Sequence, residues 1–261
     1  MPEEQDPSLA EGWRRRRVAW FAGPAAIFAG LLAWAFLGLP GFGHYRGPYG
    51  YLINARVVAE RHITDAVTAV NFDYRGFDTL EEEFIIFVSV VGARVLLRPQ
   101  KGESRKPGAG EAGAARQAPP SGDAVRLLGL GFVGPLVLFG IYIVVHGQLT
   151  PGGGFQGGVI LASALWMVYL VGGPEFARAV DPHRLVEAAE AAGAAGYALI
   201  GFSAFFVLAP FLTNWLGLGK VGSVFSGGTV ALIDLAVGLE VAASVSILVD
   251  AFMEEALMVH R

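Results

Sequence analysis

The stretch that decides the fold is His146-Gly-Gln-Leu-Thr-Pro-Gly-Gly-Gly-Phe-Gln-Gly-Gly158, a glycine-dense segment that meets two apolar runs. The run before it, Leu127 to Val145, and the run from Phe155 to Gly173 each contain 19 residues without a charge. About 20 apolar residues in a helix match the ~30 Å hydrocarbon core of a bilayer. Glycine permits backbone angles and close approaches that no residue with a Cβ allows. The sequence therefore predicts two membrane helices joined by a tight turn.

The composition independently indicates a membrane protein. Of the 261 residues, 54% are hydrophobic and 16% are charged, against about 25% charged in ordinary soluble domains. The absence of cysteine excludes disulfides, thiol nucleophiles and iron–sulfur ligation. The net charge is -4, and the one basic run is Arg14–Arg17. We therefore expect the lipid bilayer, and no nucleic acid, as a partner.

Apolar runs predict an all-α membrane protein of about six transmembrane helices, with both termini in the cytoplasm. The predicted spans cover residues 18–38, 80–98, 126–145, 155–173, 193–213 and 229–250. The first contains a 22-residue apolar run, which is longer than the core of a signal peptide. The orientation follows from positive charge: thirteen basic residues fall on the side of the termini and five on the other.

One further helix, over residues 54–72, is predicted to be amphipathic and interfacial. Its apolar residues recur with helical spacing on one face, and Arg61 and Asp65 form an i,i+4 pair on the other. Such a helix lies along the membrane surface or packs on a partner protein. The apolar face consists of Ala59, Ile63, Ala66, Val67 and Val70.

The chain divides into four predicted segments. Residues 1–17 form a basic cytoplasmic N-terminus, residues 18–98 a two-span module, and residues 124–261 a four-span module. Between the modules, residues 99–123 are rich in Gly, Ala, Pro and basic side chains, which is typical of a flexible linker.

The glycine segment does not fit a phosphate-binding loop, because no Lys-Ser/Thr pair follows it and no strand precedes it. Close glycine packing in a helical hairpin is one sufficient interpretation. The segment Thr150–Gly158, after the pair His146 and Gly147, also closely resembles the first hairpin of the MnhB/MrpB family, which are subunits of Mrp-type multisubunit cation/proton antiporters. The resemblance extends through Ser226–Ile233 and Val237–Ala243. It marks as a packing motif Pro151, Gly152, Gly153, Gly154, Phe155, Gln156, Gly157 and Gly158.

A second motif, Val70-Asn-Phe-Asp-Tyr-Arg-Gly-Phe-Asp-Thr-Leu-Glu-Glu-Glu83, leads into the second predicted span. It fits a helix start, with Asp78 or Thr79 as N-cap and three glutamates complementing the helix dipole. It also fits a carboxylate site that concentrates cations at a membrane entrance. The run resembles the C-terminal membrane segment of the MrpA antiporter subunit and the small E-type (MbhE-type) subunit of membrane-bound hydrogenases. The matching residues are Asp73, Arg75, Gly76, Phe77, Asp78, Thr79, Leu80 and Glu82; Glu81 stands where the family usually has glycine.

Charged residues inside predicted spans are few, and each costs about 2.5–3.5 kcal/mol on insertion scales. Asp234 and Glu240 lie roughly 120° apart on the last span, either as neutral carboxyls bonded to other helices or as part of an ion path. Arg94 lies near a span end, where its side chain reaches water. His146 is either structural or a proton relay. The ion-pathway candidates are Asp73, Asp78, Glu82, Asp234, Glu240 and His146, with transient Na⁺ predicted at the first three.

No catalytic set, metal-ligand cluster or cofactor loop is evident in the sequence, so we expect no enzyme activity and no cofactor. The resemblances together imply a natural fusion: an accessory membrane subunit of a multisubunit Na⁺/H⁺ antiporter in the cell membrane. Its implied partners are other membrane subunits, Na⁺ and H⁺, and its implied roles are assembly and the sodium path. Two alternatives remain open: a membrane-arm subunit of an energy-converting hydrogenase or related respiratory complex, and a pure scaffold subunit.

Overall fold

The structure is a computed structural model that describes residues 7–39, 43, 47–97, 122–180 and 183–259. The predicted linker at 99–123 lies outside the described residues except for Gly122 and Asp123, as do residues 1–6 of the predicted basic N-terminus. The chain forms two compact units, residues 1–50 and 51–261. Every regular element within the described ranges is helical, which confirms the all-α prediction.

The first unit holds helix α1, Pro7–Leu37. Its segment Val18–Leu37 is long and apolar enough to cross a bilayer. The large side chains on it, including Trp20, Phe21 and Trp34, are exposed, as expected for a helix that faces lipid or another subunit. The predicted first span therefore forms a helix, which begins eleven residues earlier than the apolar run because the preceding polar residues continue it.

The second unit contains the remaining helices, and α2 begins just before its boundary. In chain order these are α2 (Pro48–Arg61), α3 (Ala66–Ala69), a π-helix (Val70–Tyr74), α4 (Gly76–Leu97), α5 (Asp123–Val145), α6 (Gly154–Val180), α7 (His183–Ser203), a 3₁₀ turn (Ala204–Val207) and α8 (Thr229–Val259).

Five helices in the described ranges are long and apolar enough to cross a membrane; beside the α1 segment they are Asp123–Val145, Gly154–Gly172, His183–Val207 and Thr229–Phe252. Helix α4 covers the predicted second span, but Glu81–Glu83 and Arg94 place it outside this group by composition. A count of six spans thus stays a prediction that depends on α4.

The predicted fifth span, 193–213, is displaced. Helix α7 begins ten residues earlier, at His183, and ends at Ser203. In the segment that follows α7, Leu208 and Leu212 have left-handed φ angles of 58° and 62°, which a right-handed helix cannot accommodate. Charged side chains in the first turns of α7 are tolerated because other helices supply their partners, as described below.

The predicted continuous helix over 54–72 is wrong. Helix α2 ends at Arg61, His62 has a φ of 57°, and α3 begins only at Ala66. The apolar face is also divided, since Ile63 is 0% exposed and Val67 is 64% exposed. The cause is tertiary hydrogen bonding. The Nδ1 atom of His62 lies 2.6 Å from the carbonyl oxygen of Gly219, and the backbone N–H groups of residues 64 and 65 are bonded to another loop.

Helix α8 is the centre of the second unit and packs against α4, α5, α6 and α7. The hairpin between α5 and α6, the loop before α8 and the start of α4 lie at one end, which we call the hairpin end. The opposite end, which holds the C-terminus of α4 and the N-terminus of α7, we call the linker end. An ion pair between Arg94 and Glu187, 2.7 Å long, joins α4 to α7 at the linker end.

Candidate functional site

The glycine hairpin has the predicted form. Helix α5 ends at Val145, α6 begins at Gly154, and the residues between them make the turn. Gly153 has a φ of 105°, a value that L side chains rarely adopt. The glycine at this position is therefore required by the backbone and not only by packing.

Glycines at the start of α6 face two different helices. A Cβ on Gly154 would lie 2.6 Å from Val237 Cγ1, and one on Gly158 would lie 2.8 Å from Val241 Cβ, both on α8. A Cβ on Gly157 would lie 2.8 Å from the carbonyl oxygen of Gly140 on α5. Glycines one turn apart thus bring α6 onto α8, and the glycine between them brings it onto α5, as small-residue interfaces do in membranes. Of the other motif residues, Pro151 and Gln156 are exposed and Phe155 is half-buried.

Asp234 on α8 holds the start of α6. Its Oδ1 accepts a hydrogen bond of 2.7 Å from the backbone N–H of Gly154, and the residue is 2% exposed. The first N–H groups of a helix lack intrahelical partners, and the positive end of the helix dipole attracts a carboxylate. Gly147 and Gly153 leave the room that this carboxyl group occupies. Asp234 therefore acts as an N-cap supplied by another helix.

The hairpin is also the joint between the two predicted modules. The carbonyl oxygen of Gln148 accepts hydrogen bonds from the backbone N–H groups of Thr64, at 3.1 Å, and Asp65, at 3.2 Å. The hydroxyl of Thr64 donates to the carbonyl oxygen of Leu149 at 2.6 Å. The hydroxyl of Thr68 donates to the carbonyl oxygen of Gly147 at 2.7 Å. The segment before α4 is thus bonded to the turn through the turn's backbone carbonyl groups.

The side chain of Gln148, which was not among the predicted site residues, extends this joint to the loop before α8. Its Oε1 accepts from the backbone N–H of Gly227 at 2.9 Å, and its Nε2 donates to the carbonyl oxygen of Val224. Gln148 is buried. No local sequence signal identifies this role, because the partner Gly227 lies 79 residues away in the chain.

The three carboxylates predicted to bind Na⁺ have separate surroundings. Asp73 pairs with Arg61 at 2.9 Å and accepts from Asn214 Nδ2 at 3.1 Å. Asp78 pairs with Arg75, and its side chain is 49% exposed. Glu82 is exposed on α4. Among the described residues, no group of three or more His, Cys, Asp or Glu side chains converges on a metal-sized site, so these three do not form one.

Beside Asp73, the segment before α4 contains a tyrosine, Tyr74, whose hydroxyl has a raised pKa. The hydroxyl of Tyr74 donates to Glu60 at 2.8 Å, and the guanidinium of Arg61 lies 5.2 Å from the centre of its ring. Burial, reinforced by the hydrogen bond to Glu60 and the negative charge there, raises the pKa of Tyr74 to about 12. The hydroxyl therefore stays protonated in strongly alkaline solution.

Two carboxyl groups meet in the interior between α4 and α8. Glu83 is 1% exposed and Glu240 is 0% exposed. Their carboxyl groups are adjacent, and none of the four oxygens has a hydrogen-bond donor among the described groups. Glu240 is one of the predicted ion-pathway candidates, whereas Glu83 was predicted only as a member of the acidic cluster around the start of α4 and not as a site residue. The exposed Glu82 and the buried Glu83 are neighbours in sequence but lie about 100° apart around the helix.

A third buried carboxyl group, Glu190 on α7, lies toward the linker end. Its Oε1 accepts from Ser244 Oγ at 3.1 Å. Ser244 is one turn beyond Glu240 on α8, and Arg94 acts electrostatically on Glu190. Sequence reasoning missed Glu190 because the predicted span began at 193. A charge within an alanine-rich helical run was the signal that could have identified it.

His146 lies at the C-terminus of α5, half-buried. Its ring stacks on Tyr142 with centroids 4.1 Å apart, and Nδ1 lies 3.0 Å from the carbonyl oxygen of Tyr142. Both contacts are one helical turn back along the same helix. They cap α5, which is a structural task at this position.

Residues 126–247 match a family model described as a domain related to the MnhB subunit of Na⁺/H⁺ antiporter. The corresponding B-type subunit of the Na⁺/H⁺ antiporter of Bacillus subtilis is 31% identical over 126 residues, which cover 46% of this chain and 85% of that protein. An uncharacterized protein of Methanocaldococcus jannaschii is 31% identical over 202 residues, 70% of this chain and 75% of the relative.

Two solved structures share the fold over nearly the whole chain. A chain of the membrane-bound sulfane sulfur reductase, an archaeal respiratory membrane complex, superposes with a TM-score of 0.66 at 29% identity, covering 91% of this chain and 97% of that chain. A chain of the Mrp complex from Dietzia sp. DQ12-45-1b gives a TM-score of 0.64 at 22% identity, covering 90% of this chain and 26% of that longer one. The second likeness, at this identity, is one of fold.

Proposed function

Because the chain belongs to the family of the MnhB subunit of Na⁺/H⁺ antiporters, we propose that it is an accessory, non-enzymatic subunit of a multisubunit Na⁺/H⁺ antiporter in the cell membrane. Its partners are then other membrane subunits of that complex. The observation that carries the proposal is the hairpin from Thr150 to Gly158. It lies inside the family-matched region and is also the structural joint of the second unit.

The segment before and within α4 is proposed to be a fused module of the kind found at the C-terminal end of the MrpA antiporter subunit. Its hydrogen bonds to the hairpin at Gln148 and Gly147 support this, because they make residues 64–68 a fixed neighbour of the MnhB-like part. A fusion keeps two subunits that contact each other at a constant one-to-one ratio. The boundaries at 18–98 and 124–261 are part of this proposal.

Within that module, Glu82 is the carboxylate proposed for the cation path. Asp73 and Asp78 are each neutralised by an arginine, whereas Glu81 and Glu82 are exposed on the surface of α4. Of these two, Glu82 matches the motif of the resemblance, and Glu81 stands where that family usually has glycine. An exposed carboxylate on a membrane helix requires a polar neighbour, so we place the path between α4 and an adjoining subunit. Asp73 and Asp78 then fix the entrance without binding the ion.

The test is deletion of this chain from cells that carry all the other subunits, followed by assay of Na⁺-dependent collapse of ΔpH in everted vesicles. Loss of exchange, restored when the chain is supplied in trans, is the expected result. A native gel of the same membranes reports whether the remaining subunits still assemble. Full exchange without the chain would exclude the proposed role.

A second candidate is the same accessory role in a respiratory membrane complex. It is favoured by one observation: the sulfane sulfur reductase chain matches both modules and is covered almost completely. In that case the chain purifies with redox subunits, and ion movement requires electron transfer. Affinity purification of the tagged full chain from native membranes separates the two candidates by the presence or absence of redox-active partners.

A further inference from the structure

Three buried carboxyl groups, on three different helices, form a row through the interior of the second unit. Glu83 on α4 and Glu240 on α8 are adjacent, and Glu190 on α7 lies one helical turn nearer the linker end. Because Arg94 and Glu187 occupy that end, ionisable groups occur from Glu83 in the first half of α4 to the last turn of that helix. From Glu83 to Arg94 is about 16 Å of helix, roughly half of a ~30 Å hydrocarbon core.

Within the described part of the chain, the carboxyl groups of Glu83 and Glu240 have only each other as hydrogen-bonding partners. Buried polar groups are normally hydrogen-bonded, yet the four oxygens of this pair have no donor among the described groups. Besides the two carboxyl groups themselves, the nearest charged groups are also acidic: Glu82 beside Glu83, and Glu190 beside Glu240. Two adjacent carboxylates without a counter-charge repel each other and cannot both stay ionised in a low dielectric.

A proton fits this pair better than a metal cation. Hard cations bind six or more oxygens from several directions, whereas a shared proton needs only one oxygen from each carboxyl group. Helix α7 also packs closely on the base of the Glu240 side chain, since a Cβ added to Gly193 would lie 2.5 Å from Glu240 Cβ. The hydroxyl of Tyr197 lies within electrostatic range of Glu83. It does not donate to that carboxyl group, because it donates to the carbonyl oxygen of Gly76 at 2.7 Å.

We propose that Glu83 and Glu240 form a proton-binding pair, and that with Glu190 they conduct protons through this chain between the linker end and the surface of α4 at Glu82. The inference rests on the proposed antiporter role for its physiological direction. A proton that arrives from Glu190 breaks its O–H bond there and forms one on Glu240, so that the pair holds two protons. The O–H bond on Glu83 then breaks and an O–H bond forms on the Glu82 carboxylate at the surface of α4, while the pair keeps the other proton between its two carboxyl groups.

This arrangement places the two ions on neighbouring residues. Glu82 faces outward, where the cation path is proposed, and Glu83 faces inward, where the proton is held. A cation at Glu82 and a second proton on the pair would repel each other. The single helical step between Glu82 and Glu83 is thus where the two movements can be coupled.

The experiment uses the complete complex with E83Q, E240Q and E190Q in this chain. The matched control is E81Q, which removes an exposed carboxylate from the same turn of α4. Na⁺-dependent ΔpH collapse is measured in everted vesicles and normalised to the amount of assembled complex on a native gel. We expect at least a 10-fold loss of rate for E83Q, E240Q and E190Q, and an unchanged rate for E81Q. Should E240Q assemble poorly, E190Q decides, since glutamine can still bond to Ser244.

A second measurement does not depend on transport. Infrared spectra of the purified complex in H₂O and D₂O should contain a protonated carboxyl band that shifts on deuteration and is lost in the E83Q/E240Q double variant. If the parent shows this band but no Na⁺-dependent exchange, the proton pair stands and the antiporter role fails. Loss of the band on addition of Na⁺ to the parent would instead make the pair a cation site and overturn the inference. So would undiminished exchange in both E240Q and E190Q.

Discussion

Asp234, near the start of α8, accepts a 2.7 Å hydrogen bond from the backbone N–H of Gly154, the first residue of α6. One residue on the central helix of the second unit thus fixes where the hairpin's second helix begins. The contact gives this aspartate, which lies inside an apolar span, a structural role through its Oδ1 atom, whereas its buried Oδ2 has no hydrogen-bond partner among the described groups. It serves an N–H group that would otherwise be buried and unsatisfied, and it lies against the positive end of a helix dipole.

Substitution at Asp234 should therefore affect assembly before it affects transport. In D234A the N–H of Gly154 loses its partner, at a cost of about 1–3 kcal/mol in folding free energy. D234N keeps an acceptor oxygen and should lose much less. The measurement is the fraction of complex that survives graded heating in detergent, on a native gel. A D234N complex that is fully stable but transports no ion would contradict a purely structural role.

Gly158 should not tolerate even one added carbon. The Cβ of alanine there would lie 2.8 Å from Val241 Cβ and 3.0 Å from the carbonyl oxygen of Gly238. Overpacking of this kind typically costs about 1–3 kcal/mol, so G158A should reduce the amount of assembled protein in the membrane. The control is G131A on α5, where an added Cβ meets nothing within 4 Å. Equal levels of the two variants would mean that α6 and α8 can move apart freely.

The parts of the fold that sequence predicts well are those encoded locally. The helices on either side of the hairpin are predicted over 126–145 and 155–173, and they extend over Asp123–Val145 and Gly154–Val180. An uncharged run of bilayer length and a glycine turn suffice for this, since neither depends on distant residues. The last span, predicted from 229, begins at Thr229 for the same reason.

What the sequence could not reveal depends on partners far away in the chain. Helical periodicity favours one helix over 54–72. The helix is interrupted because His62 and Thr64 are hydrogen-bonded instead to Gly219 and Gln148 in other loops. The start of α7 was predicted ten residues too late, because the charged residues Glu187 and Glu190 are typical of a loop in a membrane protein. Their partners Arg94 and Ser244 lie on other helices and cannot be identified from the local sequence. Likewise, three consecutive glutamates at 81–83 give no indication that only the third is buried. That is decided by Glu240 on another helix.

The three carboxylates around the start of α4 should differ in their effects. We expect E82Q to abolish Na⁺-dependent exchange in everted vesicles, with the complex intact. D78N should have little effect, since its partner Arg75 is exposed and exposed ion pairs contribute only about 0–1 kcal/mol. D73N should weaken assembly, because it leaves Arg61 without its carboxylate and alters the bond to Asn214. Retained exchange in E82Q together with loss in D78N would move the cation path to the mouth of the module.

Tyr74 predicts a stability change confined to strongly alkaline solution. Its folded pKa, about 12, is above the usual 10, so the fold favours the protonated hydroxyl. The stabilisation is fully present below pH 10 and is lost as the pH rises from about 10 toward 12. Y74F lacks both the bond to Glu60 and the ionisable group. It should therefore be less stable than the parent at about pH 8 but approach the stability of the parent near pH 12, as measured by the heat resistance of the detergent-solubilised complex at each pH.

The control Y49F removes another tyrosine hydroxyl, on the exposed surface of α2. A gap between Y74F and the parent that stays constant up to about pH 12 would show that Tyr74 titrates normally and that its hydroxyl acts only as a hydrogen-bond donor.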